Sequence, residues 1–258
     1  MMRMKFLLLT VFLSVFCNRL TAQISSPGLG ETNNASWSAI GIKQQLDEKN
    51  TSVSYVGFGR ISGMDESNPF GYPALFVLNE EVSHKINNHW KYSGAISYRR
   101  AHEYGEDVAE PEQEMIEQEF RLYGRVKYTT TLGRFKWTNT ARQEARKFYT
   151  EDFSRVPDDL QLRTRLKSQL YYSLDHDREN IVTASAEALF SISKDRSEGW
   201  DNLNYKEARF CLYYTYNPDD FPMIFDVGYM NDLIGTGNNI SDVSYIAFDI
   251  IIENPFSS

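Results

Sequence analysis

The sequence predicts an all-β protein, an antiparallel up-and-down transmembrane β-barrel of about 12 strands, with 10 as the alternative. Three observations carry that expectation. Polar and apolar residues alternate with period 2 over long stretches from Trp37 to Glu253, which is the pattern of half-buried strands and not of helices. The connections between these stretches alternate between short and long, as a spanning meander requires. Residues 1–22 read as an export signal, with Arg3 and Lys5 before an apolar run from Phe6 to Phe16 and a small residue, Ala22, at the expected cut.

Taken in order, the signal comes first. Cleavage after Ala22 leaves 23–258 as a single barrel domain. Cys17 does not mark a lipoprotein, because bulky Phe16 precedes it where that signal needs a small residue. Past the cut Cys211 is the only cysteine, so no internal disulfide and no cysteine-based metal site are expected. A buried or lipid-facing small hydrophobe is the expected role of such a thiol. Loss of Arg3, Lys5 and Arg19 with the signal moves the net charge from −8 to −11. A chain this acidic lacks the cationic excess that replaces counterions on phosphates, which excludes nucleic acid as a partner. No later stretch approaches the roughly 18 apolar residues of a spanning helix, which excludes a helical membrane protein.

Eleven alternating segments follow, near 34–46, 50–61, 73–86, 89–101, 114–131, 133–149, 158–174, 179–194, 203–217, 221–233 and 241–253. The fifth is the clearest. Glu117, Glu119, Arg121, Tyr123, Arg125 and Lys127 share one face, and Ile116, Phe120, Leu122, Val126 and Tyr128 the other. The sixth repeats it with Arg142, Glu144 and Arg146, the seventh with Arg163 and Arg165 opposite Leu162 and Leu166, and the eighth with Glu187 among small residues. In the last three, Glu207 and Arg209 oppose Phe210 and Leu212, and Asp249 opposes Phe248 and Ile250. Short connections hold turn residues such as Asp47-Glu48-Lys49, Asn87-Asn88 and Leu132-Gly133, and longer ones are expected at 62–72, 102–113, 150–157, 195–202 and 234–240. Bacterial single-chain barrels have even strand counts. A poorly alternating first strand within 23–33 therefore completes the expected twelve.

Alternation alone does not say whether the apolar face meets a dry core or lipid. Four features favour lipid: the export signal, the alternating connections, segments of 12 to 17 residues where soluble sheets average 5 or 6, and aromatics towards segment ends. Trp37, Trp90, Tyr92, Tyr171, Tyr172, Tyr214, Tyr216, Tyr229 and Tyr245 are the residues expected in interfacial girdles. On this reading the partners are outer-membrane lipid and small solutes, and the location is the outer membrane.

Several patterns spread over residues 37–253 resemble a known family. They are Trp37 with the following Arg60, Glu119-Phe120-Arg121, Arg142 with Glu144 and Arg146, Arg163-Thr164-Arg165, and Gly228-Tyr229-Met230-Asn231. They are similar to an uncharacterised group of short, exported, β-barrel-like bacterial proteins defined as a domain of unknown function. The resemblance implies an outer-membrane location and supplies neither an activity nor catalytic residues.

The candidate site is the polar face of the central strands, Glu117, Glu119, Arg121, Arg125, Arg142, Glu144, Arg146, Arg163, Arg165, Glu187, Glu207 and Arg209. Inside a barrel these would form cross-strand ion pairs, either a self-satisfied lumen that fixes register or a charged constriction that selects solutes. His102 beside Glu103 is the one histidine placed where barrel lipases carry theirs, but no partner serine is evident. His84, His89 and His176 show no metal-ligand spacing, and the acidic run 103–114 lacks that of a calcium loop. Residues 234–239 contain Gly-Thr-Gly without a following helix, so a phosphate loop fails on context. No enzyme activity, metal or cofactor is expected. The reading is thus a narrow channel or structural envelope barrel, against a lipid-modifying hydrolase on the same scaffold or a soluble periplasmic ligand binder.

Overall fold

The protein is seen in a computed structural model that describes residues 32–63, 66–104, 115–195, 197–236 and 239–256. Residues 1–22, expected as an export signal, and most of 23–33 lie outside the described residues, as does most of the acidic run 103–114. Twelve strands form, numbered here in chain order. They are β1 (Asn34–Gln45), β2 (Asn50–Ile61), β3 (Tyr72–Lys85), β4 (Trp90–Glu103), β5 (Met115–Leu132), β6 (Phe135–Tyr149), β7 (Arg155–Ser173), β8 (Asn180–Asp195), β9 (Gly199–Trp200), β10 (Asn204–Tyr216), β11 (Met223–Thr236) and β12 (Asn239–Glu253). No helix forms among the described residues. The eleven long strands match the eleven alternating segments to within a few residues at each end.

Each long strand pairs antiparallel with its neighbour, and β10 pairs with β8 across the two-residue β9. The sheet closes by one parallel seam, in which β1 runs beside β12 from Asn34↔Ser244 to Lys43↔Glu253. An even count is therefore not needed. Eleven strands close because the first and last lie parallel, and both edges of β1 are filled, by β12 and β2. The twelfth strand is β9, in the connection after β8.

Turn chemistry explains the hairpins. Asp47 Oδ1 accepts hydrogen bonds from the Lys49 and Asn50 amides at 2.8 and 2.9 Å. Asn87 does the same for His89 and Trp90 at 2.8 and 2.9 Å, so two successive turns use one side-chain device. Between β5 and β6 the turn is only Gly133-Arg134, and Gly133 has φ +59°, the left-handed geometry that a twisted two-residue hairpin demands and that glycine adopts without strain. These turns, with 174–179 and 217–222, mark one end of the barrel. The connections 62–71, 104–114, 150–154 and 196–203 mark the other. Two expected long connections prove shorter. Pairing between β11 and β12 runs to Thr236↔Asn239, leaving 237–238 where 234–240 was expected, and β7 begins at Arg155. His102, expected in a long connection, lies in β4.

The polarity of the two faces is the reverse of a soluble protein's. Ile96 is 63% exposed, Leu122 62% and Phe210 49%, and Ile40, Leu78, Val126, Leu166, Leu212, Ile246 and Phe248 join them on the outside. Arg99, Glu119, Arg121, Glu144, Arg146, Arg165, Glu187 and Arg209 are buried around the axis. Aromatic pairs fringe both ends of this apolar exterior. Near the short turns lie Trp90–Tyr128 (4.9 Å between centroids), Phe135–Tyr172 (4.8 Å) and His84–Tyr92 (5.1 Å). Towards the long connections lie Phe58–Phe76 (5.4 Å), Tyr98–Phe120 (5.3 Å) and Phe120–Tyr149 (5.9 Å). From Phe120 to Tyr128 the strand climbs about 27 Å, or roughly 20 Å along the axis at ordinary barrel tilt.

Three residues expected in the girdles prove to face inward, Trp37, Tyr171 and Tyr245. The inward faces of β1, β11 and β12 are largely apolar, so Trp37 and Tyr245 have an internal wall to pack on, while Tyr171 on β7 lies beneath the Lys136 ammonium. Trp37, Leu75, Val77, Tyr213, Ala247 and Ile251 form one cluster. Ala35, Ile61, Met230, Val243 and Tyr245 form a second, and half-buried Cys211 touches both. The Trp37 ring lies where a Cβ on Gly57 would be, and the Tyr213 ring does the same over Gly228.

Candidate functional site: the charged lumen

The lumen has an apolar wall on the β1, β12 and β11 side and an ionic wall on the side of β4 to β10. Two glutamates organise the ionic wall. Glu119 on β5 receives Arg99 from β4 (3.3 Å), Arg121 from its own strand (2.7 Å) and Arg146 from β6 (2.8 Å). Glu144 on β6 receives Arg121 (3.4 Å), Arg142 (2.6 Å) and Arg165 (3.4 Å). Arg165 continues to Glu187 on β8 at 2.7 Å, through a two-pronged contact. Beyond it, Glu207 pairs with Arg209, Arg209 reaches Asp232 at 3.1 Å, and Arg163 approaches Glu207 at 4.0 Å. The result is a band of ion pairs that crosses β4 to β8, β10 and β11.

This geometry follows from period 2. Residues two apart on a strand share a face, and register partners on neighbouring strands lie within reach of long side chains. Arg121 sits opposite Arg146, and Arg125, Arg142 and Arg165 form one row across β5, β6 and β7. Arginines directly opposed would repel each other, and the glutamates one step along each strand interleave with them. Guanidinium forks suit this role, because one arginine can serve two carboxylates.

The structure brings eleven of the twelve expected residues into or beside this band. Arg125 stands apart from the chain of pairs and bonds Glu81 at 3.1 Å. Glu117 shares the inward register of β5, half-buried, nearest the long connections. The expectation omitted Arg99, Glu81 and Asp232, whose parity on β4, β3 and β11 places them inward too. It also omitted an acid pair in the apolar wall. Asp226 and Asp249 are register partners on β11 and β12, 2% and 0% exposed. Trp37 Nε1 donates to Asp249 at 3.0 Å, and the Thr215 hydroxyl donates to Asp226.

Below the band, towards the short turns, the lumen holds a cavity. Its lining there includes Lys43, Lys91, Lys127 and Lys167. Lys43 bonds Glu253 at 2.6 Å, and Lys136 lies over the Tyr171 ring at 4.1 Å. The histidines hold structural contacts: His84 with Asn50 Oδ1 (2.9 Å), His89 with the Thr129 carbonyl (2.9 Å) and His176 with Arg134 (3.1 Å). No group of three or more His, Cys, Asp or Glu placed to hold a metal ion occurs among the described residues.

A family model described as "Protein of unknown function (DUF2490)" matches residues 34–243, from the first barrel strand into the last. The chain belongs to the DUF2490 family. The match covers β1 to β11 and the start of β12, so the ionic band falls within DUF2490 sequence, and of the parallel seam only the β1 side does. No curated protein matches this DUF2490 member.

Proposed function

We propose that this chain is an integral outer-membrane barrel of the structural kind, exported through residues 1–22, whose lumen is closed at mid-height by ion pairs. The observation that carries this reading is the reversed polarity. An exterior of Ile, Leu, Val and Phe between two aromatic fringes forms a continuous apolar belt, where soluble monomers rarely expose more than a few hundred Å² together. Each such side chain forgoes about 1.5–3 kcal/mol if left in water, and recovers it in hydrocarbon. The roughly 20 Å between the fringes suits the roughly 25 Å apolar band of outer-membrane barrels.

The ion-pair band supports closure. Arg99, Glu119, Arg121, Glu144, Arg146 and Arg165 are each less than a tenth exposed, so the middle of the lumen holds side chains where an open porin would hold water. Fractionation tests the location. The protein is expected with the outer membrane, with an electrophoretic mobility that shifts on boiling, and its recovery in an osmotic-shock supernatant without detergent would overturn the assignment. In planar bilayers the closed waist predicts no steady conductance, and a large steady conductance would overturn that part.

A further inference from the structure

We propose that the lower half of the lumen is a binding site for a small oxyanion of the phosphate class, entered from the short-turn end and closed above by the ion-pair band. It rests on the reading of the interior as a polar lumen open at that end. Two cavities lie there, an inner one of about 130 Å³ and an outer one of about 590 Å³. Thr51, Lys91, Lys127 and Tyr171 line both, so the two cavities adjoin. Each is bordered by seven Lys or Arg residues against two Asp or Glu, in a chain whose net charge is −8.

Two of these cations lack the compensation found higher up. Lys91 on β4 and Lys127 on β5 are register partners, an arrangement of like charges that costs stability. Neither has a carboxylate oxygen within 4.0 Å among the described residues. At the inner cavity, buried polar atoms also stand without hydrogen bonds: Asn79 Nδ2, on a side chain 7% exposed, together with Arg125 Nε and Thr140 Oγ1. Two of these are N–H donors, and the lysines add three N–H donors each. A tetrahedral oxyanion is the complement of such a set, since it offers only acceptors and carries the charge that would turn the Lys91–Lys127 opposition into attraction. The inner cavity takes the anion, and the outer one leaves room for an attached organic group.

The test is calorimetric titration of the full-length protein, folded in detergent, with inorganic phosphate and separately with glycerol 3-phosphate. Saturable binding at one site is expected, and the tighter of the two anions tells a free phosphate from a phosphomonoester. The double variant K91M/K127M should bind at least about tenfold more weakly, as loss of charge-assisted hydrogen bonds implies. K147M, on the outer face, should bind as wild type does. Absence of saturable heat, or undiminished binding by the double variant, would overturn the proposal. Thermal unfolding supplies a second readout. Phosphate should raise the unfolding temperature of the wild type and not that of the double variant, which should be at least as stable as wild type without anion because its opposed charges are gone. A double variant that is less stable or does not fold would refute the like-charge argument, and the single variant K127Q then carries the binding comparison. Binding in detergent is independent of fractionation and conductance, so its failure leaves the outer-membrane assignment standing, and the reverse also holds.

Discussion

Glu144 is fully buried and bears on three arginines from three strands. Its replacement by glutamine keeps the shape and removes the charge, leaving Arg121, Arg142 and Arg165 partly uncompensated. Breaking a buried pair from one side costs about 3–5 kcal/mol. E144Q should therefore unfold in detergent at clearly lower urea than wild type, and K147A, which breaks a long, partly exposed 4.0 Å contact with Asp159, should not. Gly57 answers to packing rather than charge. A leucine there would collide with the Trp37 ring and should destabilise by about 1–3 kcal/mol through overpacking, measured in the same titration. Asp47 answers to pH. The Asn50 side chain and then the Lys49 and Asn50 amides hold its carboxyl below the ordinary 3.8. The turn's contribution is thus complete above that value and is lost as the pH falls through the lowered one. D47N should flatten this acid limb of the stability profile.

At the scale of the strand, much is legible in the sequence itself. Period 2 is a local property, so Arg121 and Phe120 declare their opposite faces within β5 itself, and Asp47 and Gly133 announce their turns. Pairing partners distant in sequence were not legible. Nothing in Asn34–Lys43 says that it lies parallel to Ser244–Glu253. The inward apolar wall was partly hidden. Tyr245 shares its parity with Asp249, a sign that its aromatic character masked, and β1 offers only Lys43 near its end to say which side Trp37 takes. The Lys91–Lys127 pair was equally opaque, since it exists only once β4 and β5 are in register. The seam has a direct check. Ser38 and Phe248 are register partners across it, close enough for a disulfide between cysteines placed there. In a C211S background, S38C/F248C should cross-link on mild oxidation. Failure to do so would contradict the parallel closure.

For the molecule as a whole, the decisive property is which side each face looks to, and a single Trp distinguishes the sides. Trp90 and Trp137 are 42% and 48% exposed on the outside, and Trp37 is 1% exposed within. Single-tryptophan variants reconstituted with brominated lipid should show strong quenching for Trp90 and Trp137 and little for Trp37. Equal quenching of all three would contradict a lipid-facing exterior. The parallel seam also has a topological result. With an odd number of long strands, the backbone enters the barrel beside the long connections at Asn34 and leaves it beside the short turns at Glu253. An impermeant thiol reagent applied to intact cells should therefore label only one of N33C and N254C, and reach the other after the envelope is breached.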